Sequence, residues 1–352
     1  RKIEEGRTDD IRECIGCNIC LTSSGPLWCT QNPTMSEEWR RGWHPERIEP
    51  KGSDDKLLVV GAGPAGLEAA RALGQRGYDV TLAEARGEPG GRVTTESALP
   101  GLAEWARVRD WRVHQIRKMA NVEMFFDSRL DAGQVLEYGF AHVVVATGCH
   151  WRGDGVGRWH NEPVPGHDRP NVFTPDQVMA GTDISGTVVV FDDDHVYMGG
   201  HMAEALAAAG RRVTLVTPAA EVSAWAEYSE EQDRVNEAML AAGVELMTGH
   251  AVVGFDGDGV EIAAVYGDAV SRRPATSLVM VTARIPNDDL YYTLQADQWT
   301  LAAAGIKSVT RVGDCLAPST IVAAVHSGHG FAQGLDGPAP AEVSYKRERA
   351  TV

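Results

Sequence analysis

Four cysteines crowd into one short stretch, Cys14-Ile-Gly-Cys17-Asn-Ile-Cys20, with Cys29 following after eight more residues. Three thiols at equal short spacings on one turn can take three corners of an iron–sulfur cubane, and a fourth from the following loop closes it. Gly16 lets the backbone bend close to the sulfurs, where exposed amides can donate hydrogen bonds to them. The competing reading is a structural zinc ion, which usually takes its cysteines as two separated pairs. The triple favours the cluster, and Cys14, Cys17, Cys20 and Cys29 are the candidate ligands. Cys149 and Cys315 stand alone, without the neighbouring thiol that a disulfide reductase needs. A secreted disulfide framework would spread its cysteines evenly through a much shorter chain, so a reducing, cytoplasmic setting is expected.

The second constellation is Gly61-Ala-Gly63-Pro64-Ala65-Gly66. It follows the apolar run Leu57–Val60 and opens a helical segment, Leu67 to Gly77. A second strand, Asp79 to Ala83, then ends at Glu84. This is the strand, glycine loop, helix, strand, acid order of a dinucleotide fold. Gly61 permits the tight turn, Gly63 lets the backbone approach a pyrophosphate, and Gly66 lets the helix pack on the strand. The helix N-terminus offers amides and the positive end of its dipole. Glu84, 18 residues past Gly66, can accept hydrogen bonds from ribose hydroxyls and would repel a 2′-phosphate. Gly91 and Arg92 are candidates for further phosphate contacts. Ala146-Thr147-Gly148 ends a strand over Ala141–Val145, and Asp314 ends a late one.

The topology repeats, but its phosphate loop does not. A strand over Thr187–Phe191, a helix from about Met202 to Ala209 and a strand over Arg212–Val216 form a second unit. Where its glycine turn belongs, the chain reads Asp192-Asp193-Asp194-His195, with Gly199 and Gly200 only later. Carboxylates there would repel a pyrophosphate, so this unit is not expected to bind NADH or NADPH in the usual way. A metal site on the aspartates and His195 is a weaker reading than a solvated turn after a strand.

The elements must sit in a chain of 352 residues with 43% hydrophobic and 23% charged content, which is ordinary for a globular protein of two or three domains. No apolar run approaches the roughly 18 residues that span a bilayer. The formal charge of −16 argues against nucleic acid, although Arg40, Arg41, Arg47 and Lys51 make a local basic patch. The chain opens on Arg1 in a polar stretch and is read as part of a longer protein.

The ordered motifs resemble one family: Cys14 through Cys29-Thr-Gln-Asn-Pro, then Trp39-Arg-Arg-Gly-Trp43-His44-Pro45-Glu46, then the glycine loop, on to Val312-Gly313-Asp314 and Tyr345-Lys346-Arg347-Glu348. The chain is similar to the C-terminal portion of trimethylamine dehydrogenase and its relatives, which include amine dehydrogenases, N-methyl-amine demethylases and 2,4-dienoyl-CoA reductase. The resemblance implies an α/β fold: an iron–sulfur segment and two Rossmann-like lobes, arranged as in glutathione reductase, behind an N-terminal FMN-binding (β/α)8 barrel that is not in this sequence. It implies a [4Fe-4S] cluster on the four cysteines and an adenine nucleotide, ADP or FAD, on Gly61, Gly63, Pro64, Ala65, Gly66, Glu84, Ala85, Gly91 and Arg92. In two-dinucleotide-domain flavoproteins, segments like Ala146-Thr147-Gly148 and Asp314 also line the flavin site. No catalytic residue is assigned, because substrate chemistry belongs to the barrel.

The degenerate second loop places the chain with the amine dehydrogenases, where ADP fills the first lobe and electrons leave to an electron-transferring flavoprotein. The alternatives are an NAD(P)H-dependent dienoyl-CoA or enoate reductase with FAD in that lobe, and a non-catalytic nucleotide-binding docking module. The expected divisions are a cluster segment (1–50), a first lobe (51–185 with 270–337), a second lobe (186–269) and a polar tail (338–352). The full-length enzyme is expected to be a homo-oligomer. Trp39, Trp43 and His44 are read as packing groups near the cluster, and Trp105 as a buried anchor or a docking residue.

Overall fold

The computed structural model describes residues 2–22, 27–37 and 48–337. Trp39, Arg40, Arg41, Trp43, His44, Arg47 and the tail from 338 lie outside the described residues.

The first unit runs β1 (Leu57–Val60), α1 (Pro64–Arg76), β2 (Val80–Ala83), α2 (Arg92–Glu96), α3 (Ala106–Arg117), β3 (Val122–Phe125), α4 (Ala132–Tyr138) and β4 (His142–Val145). A short β5 (Cys149–Trp151) leads through β6 (Val172–Phe173) and α5 (Pro175–Met179) into the second unit. That unit is β7 (Thr187–Asp192), α6 (Met198–Ala208), β8 (Arg212–Thr217), α7 (Gln232–Ala241) and β9 (Glu245–Thr248). Then come β10 (His250–Phe255), β11 (Gly259–Ala264), β12 (Val270–Pro274), β13 (Ser277–Val281) and β14 (Arg284–Pro286). The chain returns through α8 (Asp289–Gln295), α9 (Gln298–Ala303), β15 (Ser308–Arg311) and α10 (Ile321–Gly334).

Two parallel five-stranded sheets result, in the orders β15-β4-β1-β2-β3 and β6-β13-β7-β8-β9. Both faces of each are covered, which is why Leu57–Val60 reads as an unbroken apolar run rather than an alternating one. Leu57 and Val59 face the core beneath α1 with Leu82 and Val144, while Leu58 and Val60 face the opposite core with Val143 and Val309. In the second sheet Val188 and Val190 pack under α6, and Val189 and Phe191 pack toward β10 and β11.

The first helix shows how local sequence sets its limits. Pro64 occupies its first turn, where the missing N–H costs nothing. Gly77 caps its end in the left-handed region at φ 96°, and its N–H returns to the helix carbonyls. It therefore begins three residues earlier than Leu67, so the glycine loop is partly helix. Likewise α6 begins at Met198, four residues before the expected Met202, and takes in Gly199 and Gly200.

Candidate functional site

β1 and β4 are neighbours, and their following connections leave on opposite sides of the sheet, which opens a crevice at their carboxyl ends. Gly61 turns there with φ 105°, and a Cβ on it would stand 2.4 Å from the Ala146 carbonyl oxygen. A Cβ on Gly66 would stand 1.9 Å from the Gly61 oxygen, so that glycine sets the approach of α1 to β1. Gly63 has nothing within 4 Å of an added Cβ; it faces open space.

That space is a cleft of about 510 Å³. Gly61, Gly63, Pro64 and Ala65 form its floor, Glu84 and Ala85 one end, and Gly91 and Arg92 one wall. Ala146, Thr147 and Gly148 come in from the end of β4, and Asp314 from the turn after β15. Gly66 is the one expected residue that does not line the cleft; it acts on its shape from behind.

Glu84 is buried, and its two oxygens accept the N–H groups of Ala62 at 2.7 Å and Arg86 at 2.9 Å. It therefore braces the glycine loop as well as ending the cleft. Arg92 donates to Glu96 and to the Cys149 sulfur, stands 3.6 Å from Asp314, and keeps a buried Nε without a partner. Burial opposes its charge, but neighbours led by Glu96 outweigh that and hold it above its usual range. An unpartnered donor in the wall of a glycine-loop cleft fits an anionic ligand. Burial pushes the Cys149 thiol up to about 12, so at neutral pH it is a protonated wall residue and not a nucleophile.

The far wall comes from residues that no local pattern announced. Tyr197 reaches in from the residue before α6, its hydroxyl donating to Glu96 at 3.0 Å and its ring edge-on to Trp105 at 4.8 Å. Arg284, Asn287, Ser319 and Ile321 complete that wall. Trp105 is half-buried against Tyr197.

The second unit differs at the same topological place. Asp192 and Asp193 are 0% exposed and Asp194 9%, so the aspartate run is not a solvated turn. Asp192 accepts the N–H groups of Asp194 and His195 through one oxygen; the other is buried without a partner. Its carboxylate lies against the first turn of α6, where a Cβ on Gly199 would come within 2.3 Å of it. A buried carboxylate thus stands beside the first turn of this helix, where the first unit has open space. Burial pushes the Asp192 carboxyl up to about 7. Asp193 accepts from the Trp159 N–H at 2.8 Å, and His195, in the left-handed region at φ 63°, meets Thr217. Among the described residues, no three His, Cys, Asp or Glu side chains are grouped to hold a metal ion.

The cysteine loop folds back on itself through left-handed Gly16 and Asn18. Gly16 N–H donates to the Cys14 sulfur and Asn32 N–H to the Cys29 sulfur, each at 3.3 Å, and Cys17 meets Thr30 at 3.2 Å. Burial raises the Cys17 thiol, and the charges of Cys29 and Cys14 raise it further, so these sulfurs lie within each other's fields. Gln31 anchors the loop to α3: its side-chain amide donates to Glu13, and its two oxygens accept from Arg112. Asn18 ties it to the second unit by donating to Glu231 at 3.0 Å.

Residues 55–328 match the pyridine nucleotide-disulphide oxidoreductase family. The chain belongs to this family. Within it, the chain corresponds to the C-terminal portion of the trimethylamine dehydrogenase group. It is 37% identical to dimethylamine dehydrogenase of Hyphomicrobium sp., over 99% of this chain and 52% of that one. Histamine dehydrogenase from Rhizobium sp. 4-9 superposes with a TM-score of 0.94 at 50% identity, over 97% of this chain and 53% of the other. The 6-hydroxypseudooxynicotine amine oxidase of Pseudomonas geniculata N1 gives 0.92 at 42% identity, over 96% and 50%. The chain thus spans about half the length of these relatives. Among the described residues, no helix is long and apolar enough to cross a membrane.

Proposed function

We propose that this chain is the electron-transfer portion of an amine-oxidising iron–sulfur flavoprotein, with an adenine nucleotide, ADP rather than FAD, in the first cleft. The observation that carries this choice is the buried Asp192 carboxylate, which occupies the place a second pyrophosphate would need. A chain that takes reducing equivalents from NADPH needs that place open; one that receives them from an amine does not. The names of the relatives support the amine-oxidising part of this reading.

Cys14, Cys17, Cys20 and Cys29 would hold a [4Fe-4S] cluster, whose chemistry when bound is one-electron transfer. The donor set fits: four thiols, two backbone N–H groups already directed at sulfur, and the Arg12 and Arg112 cations close enough to Cys29 to feel its charge. Rotation of thiol side chains would be needed to bring the sulfurs to one centre, since no three are grouped as they stand. In the cleft, Arg92 and the amides at the start of α1 would bind the diphosphate, and Glu84 the ribose. The acceptor is an electron-transferring flavoprotein or a similar one-electron carrier, and the substrate chemistry belongs to an FMN barrel.

An anaerobic visible spectrum, taken before and after NADPH and then dithionite, tests this reading together with the nucleotide released on denaturation. A broad absorbance that ignores NADPH and bleaches with dithionite is expected, with ADP released. A resolved flavin band bleached by NADPH would overturn it in favour of the enoate reductase.

A further inference from the structure

Behind the cysteine loop lies a group of charges that the nucleotide cleft does not use. Arg112 and Glu68 are both 0% exposed. Arg112 Nε donates to Glu68 at 2.8 Å, and its two terminal nitrogens donate to the side-chain and backbone oxygens of Gln31 at 3.0 and 3.2 Å. Arg71 pairs with the other Glu68 oxygen at 2.6 Å, and His329 meets that oxygen at 2.9 Å. Arg12 donates to the same Gln31 carbonyl at 2.6 Å, its guanidinium lying 4.0 Å over the Trp111 ring. Arg71 and Arg112 therefore pair with one carboxylate, and Arg12 joins Arg112 on the carbonyl of Gln31, two residues along the chain from Cys29.

Guanidinium groups stay protonated, and burial deprives them of water's screening. The surplus positive charge is unfavourable alone. In a chain of net charge −16 it is also out of keeping with the molecule as a whole. It becomes favourable beside an anionic centre, and both Arg12 and Arg112 donate to the backbone oxygen of Gln31, two residues from Cys29. An added electron at a thiolate-ligated centre there would be stabilised by these cations and opposed by Glu68.

We propose that Arg12 and Arg112, set against Glu68, fix the reduction potential of the centre held by the cysteine loop, holding it above the value that the four thiolates alone would give. Arg112 also positions the loop through Gln31, and Arg12 does so through the same carbonyl. They are positioning residues, since they act through the loop and its field and touch no substrate. The inference rests on the cluster reading given above.

The test is a redox titration of the full chain, anaerobically reconstituted with iron and sulfide and followed by electron paramagnetic resonance. Iron and sulfide are assayed in each sample. Arg12→Gln is expected to lower the midpoint by about 59 mV, a tenfold change in a one-electron equilibrium. Arg12→Lys, which keeps the charge, stays near wild type. Glu68→Gln moves the midpoint the other way. Loss of packing would shift both neutral variants in the same direction, so opposite signs are the mark of the field. If Glu68→Gln does not fold, the Arg12→Gln and Arg12→Lys pair decides. Full iron content with an unmoved midpoint in Arg12→Gln overturns this inference and leaves the cluster reading intact. A wild-type chain that takes up no iron or sulfide overturns both.

Discussion

The two Rossmann-like units have the same strand order around their first helix and opposite contents at its N-terminus. In the first, Gly61, Gly63 and Gly66 leave a cleft over α1, walled by Arg92 with a free donor. In the second, the Asp192 carboxylate lies against the first turn of α6 and accepts from the N–H groups of Asp194 and His195. A helix N-terminus is a ready anion site in either case. The first unit leaves open space before that helix end, whereas the second sets a buried carboxylate against it. Topology alone therefore does not make the two switch points alike; a few side chains there set whether a cleft opens.

The comparison can be broken hardest at Gly66. Gly66→Ala drives a Cβ into the Gly61 carbonyl, and we expect a loss of about 3 kcal/mol or more, because overpacking against backbone cannot be relieved by a rotamer change. Chemical denaturation measures it; an unchanged midpoint would mean that α1 is not seated as described. The same change at Gly63 should leave stability within about 0.5 kcal/mol, since open space meets the new methyl.

Asp192→Asn probes the other side. An unfolded aspartate ionises near 4, whereas burial pushes Asp192 up to about 7. Between those values the folded chain binds the extra proton, so wild-type stability falls as pH rises from about 4 to 7. The asparagine variant lacks that slope. It should be more stable at pH 8 by about 1.4 kcal/mol or more, one pK unit's worth, with the gap closing toward pH 4. A gap independent of pH would show that the carboxylate is not paying a burial penalty. NADH should still bind too weakly to detect, because the amide fills the same place.

Glu84→Ala should weaken ADP about tenfold in titration calorimetry, roughly 1.4 kcal/mol, by removing the brace on the Ala62 and Arg86 amides. Equal affinity would place the adenosine elsewhere. Tyr197→Phe removes one hydrogen bond to Glu96. A stability loss of about 1 kcal/mol is expected, with ADP affinity unchanged; a drop in affinity would show that the far wall contributes to the cleft's grip on the diphosphate.

Much of the first unit was legible because its function is written locally. Leu57–Val60, the three glycines and Glu84 fall within one strand–helix–strand unit, and Gly61 and Gly66 answer to backbone approaches that leave no room for a Cβ. The aspartate run was visible too, and so was its conflict with a pyrophosphate. Its burial was not. A run of acids reads as solvent-facing, and only the hydrogen bonds from Asp194 and His195 and the contact with Gly199 explain how Asp192 is accommodated inside.

By itself the sequence determined the fold class, the cysteine spacing and the inequality of the two phosphate loops, because these depend on neighbours along the chain. Tertiary structure decided what converges from afar. It brought Tyr197, Arg284 and Asn287 to the cleft's far wall, and it set Arg112 between Glu68 and Gln31, residues 44 and 81 positions away. No periodicity marks such pairs. Their electrostatic consequences arise only when packing removes water from between them.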